Sequence, residues 1–116
     1  AFYWQHGAHI TKDGTLLTSS YAGNWDAELV VREYELDPDG EVLRQIWSFG
    51  EGEGIIGDTA GEAHRLANGN TLHNFGSGCR VREITPAGEV VWDVNWPGTK
   101  LLGRTVFVED LYALAP

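Results

Sequence analysis

An internal repeat restricts the possible folds of this chain more than any other feature of its sequence. Two segments share the same succession of apolar, charged and turn residues, about 50 residues apart. Because a fixed period is the signature of a repeat architecture, each copy should form the same unit. The first copy has extra residues near 21–28 and 50–60, which we expect to lie in loops. The aligned pairs are Ala8-His9 with Ala63-His64, Asp13-Gly14 with Asn68-Gly69, Val31-Arg32-Glu33 with Val81-Arg82-Glu83, and Gly40-Glu41-Val42 with Gly88-Glu89-Val90.

Turn residues divide each copy into four predicted strands. Asp13-Gly14 and Asn68-Gly69 predict a hairpin between the first two strands of each copy. The third and fourth strands are joined by Asp37-Pro38-Asp39-Gly40 and Thr85-Pro86-Ala87-Gly88. In these segments, Pro presets φ for a type I turn, and Gly readily adopts the left-handed conformation that follows the turn. The predicted strands cover about 5–12, 15–21, 28–36 and 41–49 in the first copy, 62–67, 70–75, 80–84 and 89–96 in the second, and 104–108 after it.

The recurring four-stranded antiparallel unit is typical of a β-propeller blade. The predicted fold class is all-β, with two four-stranded antiparallel propeller-like blades plus a closing strand. Residues 1–60 would form the first repeat with a long inter-blade loop, 61–98 the second repeat, and 99–116 the final strand and tail. A propeller needs at least about four blades. The chain is therefore part of a longer one, or it assembles with other chains, or it forms a smaller sandwich or barrel of about nine strands. We favour the first of these, with the remaining blades as partners.

Composition excludes some classes of partner. The chain of 116 residues has a formal net charge of −9 and only 8 Lys and Arg residues. A basic patch for nucleic acid or for an anionic membrane cannot be assembled from so few cations, although a small anionic substrate needs only local donors. No apolar run reaches a transmembrane length and no signal peptide is present, so we expect no membrane insertion. The chain lacks Met and starts at Ala1, which we interpret as a processed product or a fragment.

The histidines are the main candidates for chemistry. If Asn68-Gly69 forms a two-residue turn, His64 and His73 lie opposite each other on one face and could bind a metal, although a third ligand is not evident. On a regular strand His6 and His9 point to opposite faces. His9 recurs as His64, which favours a packing role, whereas His6 does not recur. We therefore predict no metal site.

One segment matches a dinucleotide-binding pattern, G-x-G-x-x-G, but only weakly. It is Gly52-Glu53-Gly54-Ile55-Ile56-Gly57, which no helical pattern follows and whose acidic residues would repel a pyrophosphate. We interpret it as a loop between the repeats, and we predict no cofactor.

The first hairpin resembles a segment of a known family. Trp4-Gln5-His6-Gly7-Ala8, followed by Asp13-Gly14-Thr15-Leu16-Leu17, is similar to the Q-H-x-A … N-G-N-L-L segment of the bacterial arylsulfotransferases, which resemble six-bladed propellers. The likeness extends over nearly the whole chain and over roughly the C-terminal third of the family's length. Its specific part is the Q-H-x-A segment. The other matching segments are Val31-Arg32-Glu33-Tyr34-Glu35-Leu36, Gln45-Ile46-Trp47-Ser48-Phe49-Gly50, Ala63 to Leu72, Val81-Arg82-Glu83-Ile84-Thr85, and Arg104 with Asp110-Leu111-Tyr112.

The resemblance implies a role for His6 as the catalytic nucleophile. In the family this His takes a sulfuryl group from an aryl sulfate, forms a sulfohistidine and passes the group to a phenol. The implied ligand is a small aryl sulfate or phenol. We expect this ligand to contact three residues near His6, namely Gln5, Tyr21 and Asn24. In the family, cationic donors for the transferred group come from earlier blades. A periplasmic or secreted location is suggested by the resemblance alone.

Two further interpretations remain open at this point. The chain could be a non-catalytic β-propeller module used for binding or as a scaffold in a larger assembly. It could also be an independent small β-domain that self-associates through its open sheet edges.

Overall fold

Two four-stranded antiparallel sheets make up the computed structural model, which describes residues 5–24, 28–37, 39 and 41–110. Each sheet has its strands in chain order, β1-β2-β3-β4 and β5-β6-β7-β8. The predicted all-β class is confirmed, and the eight strands of the two repeats begin and end within two residues of their predicted bounds. The strands are β1 (His6–Ile10), β2 (Leu16–Tyr21), β3 (Leu29–Leu36), β4 (Leu43–Phe49), β5 (Glu62–Arg65), β6 (Thr71–Asn74), β7 (Arg80–Ile84) and β8 (Val90–Asn95).

The predicted ninth strand is not formed. Residues 101–108 have no strand pairing, although they run along the second sheet. The side-chain amide of Asn74 donates a hydrogen bond to the Leu102 carbonyl at 3.2 Å, and Thr105 bonds to Glu62. A strand needs a ladder partner on at least one edge, and none pairs with this segment in the described part of the chain. Residues 111–116 of the predicted tail lie outside the described residues.

The hairpin turns contain three residues, where the sequence suggested two. The amide of Thr11 donates to the Thr15 carbonyl, and that of Leu66 donates to the Asn70 carbonyl, each at 2.8 Å. Gly14 (φ +82°) and Gly69 (φ +89°) then adopt the left-handed conformation that closes such a loop. The turn ending at Gly88 (φ +84°) has the same geometry, as predicted. Pro38 and Gly40 of the corresponding turn in the first copy lie outside the described residues.

The longer turn changes which side chains share a face of the second sheet. His64 pairs with Leu72, and His73 pairs with Ala63. Because directly paired residues share a face and neighbours alternate, His64 and His73 lie on opposite faces. The expected histidine pair is therefore wrong, by a shift of one residue in register.

The two sheets pack face to face, as blades do. Leu17, Val31, Ala63 and Ile84 are fully buried between them, with Trp47 and Phe49 packed at the margin. A second cluster forms from Tyr21, Leu29, Ile55 and Phe75.

Polar groups also cross this interface. Arg65 forms an ion pair with Glu33, and its guanidinium lies 5.6 Å from the centre of the Trp47 ring. The Trp47 indole donates to the Pro86 carbonyl at 3.0 Å. These contacts fix one relative position of the two sheets, because hydrogen bonds and ion pairs depend on the orientation of the two groups as well as on their distance.

The weak dinucleotide-binding match, residues 52–57, lies in the loop between the two repeats. The backbone amides of Gly52 and Gly54 donate to the carboxylate of Glu28. These hydrogen bonds lower the pKa of Glu28. The amides that a phosphate would need are thus taken by a side chain of the same protein, which supports the loop interpretation.

Gly7 permits a close approach of the two sheets. It has φ +58°, and a Cβ at this position would stand 2.7 Å from the Cα of Glu62. Strand β1 has a bulge here, because Gly7 and Ala8 together oppose the single residue Thr18 between the pairs His6–Ser19 and His9–Leu17. Only glycine fits both the backbone conformation and the space.

His73 is buried completely in this interface. Its Nε2 lies 2.9 Å from the Ser19 hydroxyl, and its ring centre lies 4.0 Å from that of Phe75. Burial, followed by the positive charge of Arg82, lowers the pKa of His73 to about 3. The imidazole is therefore neutral in the folded protein across the physiological range.

Replacing Gly7 by Ala should destabilise the protein far more than replacing Gly14. Gly14 also has a positive φ, but nothing lies within 4 Å of a Cβ there. We expect Gly14→Ala to cost about 1 kcal/mol from backbone strain alone. Gly7→Ala should cost roughly 3 kcal/mol, because the clash with Glu62 adds to that strain. Urea unfolding of both variants measures the difference, and equal losses would show that β1 does not approach β5 this closely.

The free energy of unfolding should decrease as the pH is lowered, because His73 is buried in its neutral form. The unfolded chain takes up a proton near the ordinary pKa of 6.5, whereas folded His73 does so only near 3. Stability attributable to this group is therefore lost as pH falls below about 6.5. The loss should reach about 2 kcal/mol by pH 5.

The His73→Gln variant isolates this effect, since glutamine can bond to Ser19 but does not titrate. Urea midpoints at pH 7 and pH 5 should move less for the variant than for the native chain. Parallel pH dependence in the two proteins would mean that His73 is accessible to protons in the folded state.

Candidate functional site

The first strands of the two sheets lie side by side and form what we call the inner edge, residues His6–Ile10 of β1 and Glu62–Arg65 of β5. The rings of His9 and His64 stack across it, with centres 5.4 Å apart and planes inclined by 25°. In a propeller the blades surround a central channel, and strands at one edge of each blade line it. The inner edge is therefore the natural position for a site.

His6 begins β1 and is half-buried. It pairs with Ser19, whereas His9 pairs with Leu17. Since Ser19 and Leu17 are two residues apart on a regular strand, they share a face, and their partners share it too. The bulge at Gly7 thus corrects the expectation that His6 and His9 point to opposite faces.

The other predicted site residues have separate surroundings. Gln5 is exposed and precedes β1, and Asn24 is exposed in the bend after β2. Tyr21 ends β2 in the hydrophobic core, where its hydroxyl donates to the Asp58 carbonyl at 2.8 Å. Burial, with a smaller contribution from Asp58, raises the pKa of Tyr21. Within the described residues no hydrogen bond joins any of these three side chains to His6.

Glu62 brings a negative charge to the inner edge. Its carboxylate accepts hydrogen bonds from the Thr105 hydroxyl, at 2.8 Å, and from the Thr105 amide. Its second oxygen lies 3.3 Å from Nε2 of His64. Burial raises the pKa of Glu62, but the hydrogen bonds from Thr105 and the charge of His64 outweigh it and leave the pKa lowered. Glu62 is therefore an anion at neutral pH.

His9 is held in its neutral form. Burial is the main cause of its lowered pKa, and nearby His64 adds to it, while a hydrogen bond to the Gly7 backbone opposes both. A neutral imidazole can act as a nucleophile, a base or a metal ligand. Among the residues that the structure describes, no three His, Cys, Asp or Glu side chains come together as a metal site would require.

Arg104 lies at the same edge, although the sequence indicated only that it begins a strand. Thr105 contacts Glu62, and Glu62 in turn lies against Gly7. Arg104 directly precedes Thr105, as His6 directly precedes Gly7, so Arg104 and His6 hold corresponding positions. Arg104, Arg65 and His64 line a groove of about 320 Å³. Glu62 and Arg104 could not be found from the sequence, because the contact between residues 62 and 105 is made only in the folded chain.

No helix in the described residues is both long and apolar enough to span a membrane.

No family model and no curated protein matches this chain. A solved crystal structure does, that of a protein of unknown function from Bacteroides caccae. It matches 82% of this chain with a TM-score of 0.52 and 24% identity. The match covers 32% of that protein, so the present chain spans about a third of its length. At this identity the likeness shows the fold alone.

Proposed function

We propose that this chain carries the nucleophilic histidine of an arylsulfotransferase-like β-propeller, and that His6 is this residue. The observation that carries the proposal is the position of His6. It is unique to the first repeat, it begins the inner-edge strand, and the bulge at Gly7 turns it to the face of His9. The likeness of the Gln5-His6-Gly7-Ala8 segment to the Q-H-x-A segment of the family supports the same assignment.

The proposed reaction has two steps. A ring nitrogen of His6 attacks the sulfur of an aryl sulfate, so that an N–S bond forms, the S–O bond to the aryl oxygen breaks and a phenolate leaves. A second phenol then attacks the sulfur with its oxygen, its proton passes to solvent or to a nearby base, and His6 is released. No cofactor takes part in either step.

The transferred group bears negative charge on its outer oxygens, which fixed positive donors would stabilise. Arg104 is suited to this role, since it corresponds in position to His6 and lines the groove beside His64. Arg65 is less available, because it is paired with Glu33. The Glu62 carboxylate would oppose an anionic ligand, so this proposal requires further donors from other blades.

A non-catalytic binding or scaffold module is the second candidate. The observation in its favour is the same carboxylate, which is ionised, hydrogen-bonded and placed beside the inner-edge histidines. A module of this kind needs no cationic donors around His6. The two candidates differ in whether any sulfuryl group is transferred.

Replacing His6 by Ala should abolish sulfuryl transfer from 4-nitrophenyl sulfate to phenol. The expected loss is at least about 10³-fold, because the residue that forms the covalent intermediate is missing. Release of nitrophenolate measures the first step, and mass spectrometry of the quenched protein detects an SO₃ adduct on His6. The protein used should be the longest natural form of the chain that can be expressed.

His9→Ala is the matched control, since His9 recurs as His64 and is assigned to packing. This variant should lose stability but still form the adduct. Arg104→Ala should form it about 10²-fold more slowly, as expected when one charge-stabilising donor is removed. Equal transfer by the His6→Ala variant and the native protein excludes His6 as nucleophile. The absence of transfer by the native protein favours the scaffold.

A further inference from the structure

The first sheet packs on the second through one of its two faces. The outer face of the second sheet, which points away from the first, has the same arrangement of residues as that packing face. On β2 to β4 the buried face presents Leu17, Val31, Glu33, Trp47 and Phe49. The strand pairings place their counterparts on β6 to β8 in the same arrangement. These counterparts are Leu72, Val81, Glu83, Trp92 and Val94.

The two equivalent faces differ in what covers them. Leu17 and Val31 are fully buried by the second sheet. Their counterparts, Leu72 and Val81, line an open groove of about 510 Å³. At its margin Trp92 is 48% exposed and Val94 42% exposed, whereas their counterparts in the first sheet are partly buried by the second sheet. Removing such apolar surface from water is favourable. The second sheet thus retains an unused packing face of the type that the first sheet uses.

Residues 101–108 already occupy part of the place that a third unit would take. Thr105 contacts Glu62, just as Glu62 contacts Gly7 between the first two units. Two residues further along, Phe107 and His64 line one groove. At the equivalent position between the first two units, His64 and His9 stack. The segment therefore has the position of a first strand, but no second strand pairs with it among the described residues.

A second copy of the chain does not fit this face in head-to-tail fashion. Such packing would place the other face of the first sheet against the groove. Four residues of that face, Thr18, Ser20, Val30 and Tyr34, are at most 7% exposed within the chain itself. They are not available to cover Trp92 and Val94.

We propose that the groove between β6–β8 and residues 101–108 receives three further antiparallel strands of the same repeat. These strands pair with residues 104–108 and complete a third four-stranded unit. Their chemistry follows from the first interface, where Ala63 and Ile84 meet Leu17 and Val31. The occupant presents small and aliphatic side chains at the corresponding positions and covers Trp92, Val94 and Phe107. The test of this surface does not depend on the chemistry assigned to His6.

The test supplies such strands within one chain. The full chain is extended at its C-terminus by a Gly/Ser linker and a second copy of residues 70–96, which contains β6 to β8. A linker of about 15 residues has a root-mean-square span of roughly 20 Å, and it gives an effective concentration in the millimolar range. Hydroxyl-radical labelling of Phe107, 52% exposed in the native chain, should slow several-fold. The urea midpoint should also rise.

The matched control carries Ile84→Asp in the appended copy only, because a carboxylate at a fully buried position of this interface cannot be accommodated. It should label Phe107 at the native rate and show the native urea midpoint. Native-rate labelling in the unaltered extension would overturn the proposal. So would a native chain that dimerises in sedimentation and protects Phe107 as its concentration rises, since the occupant would then be a second copy.

Discussion

The close approach of β1 to β5 at Gly7 and Glu62 is the constraint on which the rest of this structure depends. A side chain at Gly7 would meet the backbone of Glu62, so the two strands can lie this close only with glycine there. The same residue has the positive φ that produces the bulge in β1. One glycine therefore sets the spacing of the two sheets and the face on which His6 lies. The geometry of the fold and that of the candidate site have a common origin.

The strands could be predicted from the sequence because turn residues and apolar runs are local signals. Asp13-Gly14, Asn68-Gly69 and Pro86-Ala87-Gly88 each locate a turn to within a residue. The number of residues in the turn is not a local property, because Asn-Gly suits two-residue and three-residue loops alike. The error of one residue was enough to place His64 and His73 on one face, when they lie on opposite faces.

The candidate site was less predictable than the fold. His6 could be singled out because it breaks the repeat and because the segment around it resembles a known family. The bulge that turns it toward the face of His9 depends on a contact between residues 55 positions apart in the sequence. Glu62 begins the inner-edge strand β5, and Arg104 is brought to it by Thr105, whose segment was predicted as a strand and is not one. Tertiary contacts of this kind leave no periodic signal.

Charge and architecture are connected at the inner edge. Burial raises the pKa of Glu62, and the two hydrogen bonds from Thr105 lower it again. Thr105 belongs to the segment that lies where a third unit would begin. Covering that segment would remove water from around Glu62 and Arg104, and interactions between their charges would then be screened less. In a partly wet groove Arg104 gains little from a bound anion, because water competes for both. A completed third unit would thus increase the effect of every charge at the inner edge, attractive and repulsive alike, so the balance between Arg104 and Glu62 depends on how many blades surround the site.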